Sequence, residues 1–326
     1  MKAIVYTKYG PPAVFQLKEV EKPTPKADEV LVKVHAASVN SWDWELLSKK
    51  PSMVSLGSRS DPRYKILGAD IAGQVEAVGV NVKQVQPGDE VFGDLCQSGF
   101  GGFAEYVCVR ENALALKPAM MTFEEAAAVP QAGLLALQGL RNKGQIQPGQ
   151  KVLINGAGGG VGTFAVQIAK SFGAEVTGVD STMKLDMMRS IGADHVIDYT
   201  QEDYTKNGQR YDLILDVKVY RSIFHYMRAL RPRGTFLAVG GSWTRIFQLL
   251  LLGPLIRMGG GKKMGILAYK PNKDSAFLID LIEAGKVVPV IDKRYPLSEV
   301  PEALRYLGEG HALGKVVITV AHNNKT

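Results

Sequence analysis

The residues best suited to chemistry lie in Asn155-Gly156-Ala157-Gly158-Gly159-Gly160-Val161-Gly162, which closes an apolar run at 151–155 and opens a helical pattern at 161–172. Glycines at such a junction let the backbone approach a pyrophosphate, while the free N–H groups and dipole of the following helix favour an anion. Gly158, Gly159, Gly160 and Val161 are therefore the candidate phosphate contacts. No Lys-Ser/Thr pair follows, so the stretch is not a P-loop, and in the best register Ala157 stands at the first place of G-x-G-x-x-G, ahead of Gly159 and Gly162. A tight strand-to-helix turn would need glycines too. Here the strand, the helix, a second strand and a terminal polar group follow in the order a dinucleotide site requires.

That second strand, 175–179, runs into Asp180, Ser181 and Lys184. Asp180 suits the hydroxyls of an adenosine ribose, the NAD arrangement, whereas Ser181 and Lys184 suit a 2′-phosphate, the NADP arrangement; Asp180 also reads as a simple helix N-cap. Gly240 and Gly241 follow the strand 235–239 and read either as a second close approach to the cofactor or as another turn.

The elements that must position these residues fall into two regions. From 1 to 122, short strand-like runs (29–34, 71–78, 90–92, 103–109) are cut by Pro-Gly and Gly turns, as in a β-barrel. From 123 the period becomes helical over 124–140. Strands at 151–155, 175–179, 195–197, 211–216 and 235–239 then alternate with helices at 161–172, 184–191 and 220–230. This is an α/β, doubly wound parallel sheet with its ligand at the carboxyl ends of the strands. After 287 the chain returns to strand, helix and strand.

Composition narrows the function classes. The 326 residues are 46% hydrophobic, enough for two cored domains, and the 35 glycines follow no collagen period. The net charge of +7 comes from Lys and Arg scattered among acids, which speaks against nucleic acid as a partner. Two cysteines, Cys96 and Cys108, exclude a disulfide scaffold and an all-cysteine zinc site and fit a reducing cytoplasm. The opening residues lack the apolar run of a signal peptide. The most apolar segment, 246–258, is too short to span a bilayer. Followed by Lys262 and Lys263, it reads as a lid over a substrate pocket in preference to a peripheral membrane contact.

Met1-Lys2-Ala3, the run from Ala36 to Asn40 with Asp43, Leu67-Gly68-Ala69-Asp70, Pro87-Gly88-Asp89, Gly102-Phe103-Ala104-Glu105-Tyr106, the glycine turn, Gly192-Ala193-Asp194 and Gly310-His311-Ala312 with Gly314-Lys315 occur in one order along the chain. In this the sequence resembles the zinc-independent quinone oxidoreductase branch of the medium-chain dehydrogenases/reductases. The resemblance implies a GroES-like β-barrel catalytic domain formed from the start and end of the chain (1–122 and 287–326), a Rossmann domain between them (123–286), a substrate cleft at their junction and a homodimer through Rossmann edge strands, here 264–269. It also implies NADPH, with NADH as the alternative, hydride transfer to a quinone or α,β-unsaturated carbonyl, and Lys315 among the cofactor-binding residues.

The places where zinc relatives carry Cys, His and Cys hold Asn40, Ala69 and Gln131, a set poorly suited to zinc. Asn40 becomes the expected donor to a developing oxyanion, Asp43 its orienting group or a surface carboxylate, and Tyr64 a proton donor or a packing residue. Tyr199 matches a tyrosine near the 2′-phosphate. Asp216-Val217-Lys218-Val219 stands where the branch has Asp-Asn-Val-Gly. That change keeps open a cofactor-binding regulatory protein with little turnover, beside an NAD(P)-dependent alcohol dehydrogenase.

Overall fold

A computed structural model describes residues 1–48, 62, 65–241 and 243–322. The chain divides into two compact units, one of residues 1–131, 271–275 and 291–326, the other of 132–270 and 276–290. The first unit extends past residue 122 because the helix Phe123–Ala128 packs on its strands and buries Ala126, Ala127 and Ala128.

The first unit is built around the long strand Glu29–Val39. One edge pairs antiparallel with Asp70–Val78; the other pairs with Tyr106–Arg110 through residues 29–33 and with Lys315–Thr319 through residues 36–39. Irregular register after Leu31 and after Val34 lets this strand bend and serve different neighbours along its length. Glu90–Asp94 continues the sheet beyond Asp70–Val78, and Ile291–Pro296 pairs parallel with Lys315–Thr319. Val30, Val32, Val34, Ile71, Val91, Phe103, Val316 and Ile318 fill the interior of this GroES-like barrel.

The second unit holds a six-stranded parallel sheet in the order His195–Asp198, Glu175–Asp180, Lys151–Asn155, Tyr211–Asp216, Leu230–Ala238, Lys263–Ile266. Numbered within the sheet, this is the Rossmann order 3-2-1-4-5-6, whose direction of winding reverses between the first and fourth strands. Those two strands, Lys151–Asn155 and Tyr211–Asp216, are direct neighbours.

Three expectations shift in detail. The helical pattern at 124–140 breaks into Phe123–Ala128, Pro130–Leu137 and a wider turn at Gln138–Lys143, since Pro130 lacks the N–H that would continue the first helix. The fifth strand of the parallel sheet begins early, at Leu230. The segment 246–258 lies inside one helix, Trp243–Gly260, with Pro254 in its interior.

Candidate functional site

In the first unit, three strand ends bring polar side chains together. Register sets Ser38 opposite Asp70, Asp70 opposite Asp94, and Val39 opposite Val316, next to Lys315. Asn40 follows the end of Glu29–Val39, so it lies beside the openings of two neighbouring strands. Its Oδ1 accepts from Lys315 Nζ at 2.6 Å, and its Nδ2 donates to Asp70 Oδ2 at 2.9 Å. Asp70 Oδ2 also accepts from Ser38 Oγ at 3.1 Å and lies 3.4 Å from Lys315 Nζ, while Oδ1 accepts from the Gln131 N–H at 3.0 Å.

Asp43, in the helix Ser41–Ser48, is buried and is not a surface carboxylate. Its two oxygens accept the Asn40 N–H at 2.9 Å and the Gly68 N–H at 3.0 Å, tying the backbone of Asn40 to the loop that carries Ala69 and Asp70. Burial pushes the Asp43 carboxyl up to about 7 against the pull of those two donors. Burial likewise raises Asp70, to about 6, although the Lys315 ammonium opposes the shift. Lys315 is only 2% exposed, and burial lowers its pKa while Asp70 and Asp43 hold the charge in place. Gln131 Nε2 is buried without a hydrogen-bond partner among the described residues. Tyr64 lies outside the described residues.

Zinc does not suit this set. Ala69 has no donor atom, and Asn40 Oδ1 is already held by a buried ammonium that would repel a dication. Cys96 lies in the same region, with its N–H on Asp94 Oδ1 at 2.9 Å, and burial and Asp94 push its thiol far up; burial moves Cys108 to about 11. Among the described residues no group of three His, Cys, Asp or Glu is arranged to hold a metal ion.

In the second unit the glycine turn sits at the reversal point of the sheet. Gly156 and Ala157 donate their N–H groups to Val179 O at 2.9 and 3.1 Å, and a Cβ on Gly162 would meet Gly156 O at 2.0 Å, so only glycine allows the helix to pack this closely. The helix Gly160–Ser171 starts after Gly159 with no side chain capping its first N–H groups, which fits a pyrophosphate. The Gly158 N–H is used within the chain, donating to Asp180 Oδ2 at 2.9 Å.

Asp180 is engaged on both oxygens. Oδ1 accepts the Ser181 N–H at 2.9 Å and lies 3.6 Å from Lys184 Nζ, whose stem packs on Gly158. Tyr199 donates its N–H to Asp180 O at 3.1 Å and exposes its ring. Gly158, Asp180, Ser181, Lys184 and Tyr199 therefore form one cluster. Gly240 and Gly241 form another, with Gly241 at φ +135° against Val219.

Two residues absent from the expected set complete these clusters. Asp198 pairs in register with Asp180 and is held below the usual carboxylate range by Thr182 and Thr200. Asp216 Oδ1 accepts from Asn155 Nδ2 at 3.0 Å and from the N–H groups of Lys218 and Val219 at 2.8 and 2.7 Å, joining the two central strands at the reversal point. Each is a carboxylate that closes its strand directly after a pair or more of apolar residues, a pattern that signals a need for donors.

Residues 26–119 match the alcohol dehydrogenase GroES-like domain, and residues 191–318 match a zinc-binding dehydrogenase model. Over 98% of its length the chain is 36% identical to 2-methylene-furan-3-one reductase of Solanum lycopersicum, covering 79% of that protein. The chain belongs to the medium-chain dehydrogenases/reductases, in their quinone oxidoreductase branch. Another member of the branch, the chloroplast envelope quinone oxidoreductase homolog of Arabidopsis thaliana, is 32% identical over 98% of each chain. Among solved structures, the branch is represented by the quinone oxidoreductase of Coxiella burnetii (TM-score 0.86, 29% identity, 98% and 99% coverage). The Escherichia coli quinone oxidoreductase complexed with NADPH superposes with a TM-score of 0.84 at 26% identity, covering 98% of this chain and 100% of that one. Like those relatives, the chain is an NAD(P)H oxidoreductase with a nicotinamide cofactor. Among the described residues no helix is long and apolar enough to cross a membrane.

Proposed function

We propose that the protein is a zinc-independent reductase of quinones or α,β-unsaturated carbonyls that uses NADPH in preference to NADH. A bound nicotinamide cofactor supplies hydride. The first unit supplies a hydrogen bond to the oxygen on which negative charge develops. The observation that carries this reading is the fixed amide of Asn40: an amide nitrogen has two N–H bonds, Asp70 takes one, and among the described residues nothing takes the other, which is left for substrate. The buried Lys315 ammonium adds positive potential behind that donor. Lys315 thus acts in this reading as a positioning residue for Asn40, in place of the cofactor contact expected for it.

On the cofactor side, the uncapped start of Gly160–Ser171 takes the pyrophosphate. Lys184, Ser181 and Tyr199 take the 2′-phosphate, with Lys184 offsetting the charge of Asp180. The edge position of Lys263–Ile266 in the parallel sheet supports a homodimer, and the two unbridged cysteines support a reducing compartment such as the cytoplasm.

Titration with NADPH and NADH, followed by absorbance with a panel of quinones and enones, tests the reading. Oxidation of NADPH by a conjugated acceptor, undiminished after exhaustive chelation, is the expected result. Tight cofactor binding without oxidation by any acceptor would instead mark a cofactor-binding regulatory protein, and activity lost on chelation and restored by zinc would overturn the metal-free chemistry.

A further inference from the structure

The helix Trp243–Gly260 is apolar on both sides. Leu249 is buried and Gly253 is covered, whereas Phe247, Leu250, Leu251, Leu255 and Met258, spaced as one helical face, point to solvent; Leu251 is 71% and Met258 86% exposed. A surface helix normally turns its polar side outward, so a second apolar stripe about 17 Å long calls for a partner. The helix Ile223–Ala229 packs beside it and exposes Phe224.

Charge identifies that partner. From 217 to 273 the sequence has eleven Lys and Arg residues and no Asp or Glu, so the chain's positive charge is concentrated here and the remainder is net negative. The scatter of basic residues among acids therefore does not hold in this stretch. Arg228 and Arg233 are exposed and make no ion pair among the described residues. Partial burial and the neighbouring Arg210 lower the pKa of Lys262. Arg221 and Arg231 pair with Asp203 and Asp212 from outside the stretch, which leaves the rest of it net basic, and a two-fold contact between copies of this face would set like charges against each other. Nucleic acid would leave the leucines unused.

We infer that the helix Trp243–Gly260 and its basic surround form an interfacial binding surface for an anionic phospholipid bilayer, with the apolar stripe in the acyl boundary and the cations among the headgroups. This surface goes beyond the proposed reduction and does not depend on it.

The test is flotation with phosphatidylcholine vesicles, with and without phosphatidylglycerol, together with light scattering for oligomeric state. The wild type should float with anionic vesicles, fail to float with neutral ones and release as salt rises. The double variant Leu251→Glu/Leu255→Glu should keep the wild-type melting temperature and NADPH affinity and lose vesicle affinity by roughly a hundredfold or more. Arg228→Gln and Arg233→Gln should each cost roughly fivefold. Absence of flotation, or leucine variants that float like the wild type, would overturn the inference. So would a wild-type dimer that the leucine variant turns into a monomer without any vesicle binding, which assigns the stripe to a second copy. Binding to duplex DNA that the leucine variant leaves unchanged, without flotation, would assign the charge to nucleic acid.

Discussion

Lys315 Nζ donates to Asn40 Oδ1 at 2.6 Å while Asn40 Nδ2 donates to Asp70 Oδ2 at 2.9 Å, so the amide is clamped between a cation and an anion. An asparagine in that position has one stable orientation, because the flipped amide would turn N–H groups toward an ammonium and a carbonyl toward a carboxylate. The clamp therefore fixes the direction of the one N–H left over.

Replacing Asn40 with Ala removes that donor. With the best quinone or enone acceptor, kcat is expected to fall about 10²- to 10³-fold, the cost of one oxyanion donor, while NADPH affinity stays at the wild-type value. Steady-state kinetics and cofactor titration check the two halves separately; weaker NADPH binding with unchanged kcat would remove Asn40 from the chemical step.

Lys315→Met leaves Asp70 buried and unpaired. A loss of about 3–5 kcal/mol in urea unfolding is expected, and the double variant Lys315→Met/Asp70→Asn should recover part of it by removing the stranded charge. Additive losses would mean that the two side chains do not act as a pair.

Asp43 and Asp70 both carry raised pKa values, about 7 and about 6. The folded state then holds protons that the unfolded chain has released, so their contribution to stability is full below about pH 4 and is lost as pH rises toward 7. Asp43→Asn should flatten that decline relative to wild type, at a cost of about 1–3 kcal/mol for the backbone donor left without its carboxylate oxygen. Unfolding measured across this pH range in both proteins provides the comparison.

Lys184 offsets Asp180 beside the expected 2′-phosphate. Lys184→Ala should weaken NADPH about tenfold more than NADH, since the uncompensated carboxylate repels a phosphate and not a hydroxyl. Equal losses for both cofactors in fluorescence titration would remove Lys184 from phosphate recognition and leave it as packing for Gly158.

Gly241, at φ +135°, would carry a Cβ 2.6 Å from Val219 Cβ. Gly241→Ala should cost about 2–3 kcal/mol. The same substitution in a Val219→Gly background should cost about 1 kcal/mol less, because the clash is gone. Val219 itself sits at φ +44°, a strained conformation for a β-branched residue, at a place where the branch carries glycine.

Five strands of the parallel sheet were legible in the sequence as short runs set among helical patterns, whereas the sixth, Lys263–Ile266, was legible only through the resemblance. The glycine turn was legible because its residues are local in the chain. The clamp was not: Asn40, Asp70 and Lys315 are far apart in sequence, and only the pairing of Glu29–Val39 with both Asp70–Val78 and Lys315–Thr319 makes them neighbours. Asp198 escaped notice for the same reason, since parallel register alone sets it beside Asp180. The outward position of the stripe on Trp243–Gly260 is not legible either, because an apolar pattern does not say which side of a helix the sheet covers.

The two cysteines acquire a meaning of their own. Quinones and enones add to thiolates, so a protein that handles them is exposed to arylation by its own substrates. Burial and Asp94 keep Cys96 in the thiol form, and burial raises Cys108 to about 11. Near neutral pH both side chains are therefore held in the thiol form, the one less reactive toward such electrophiles.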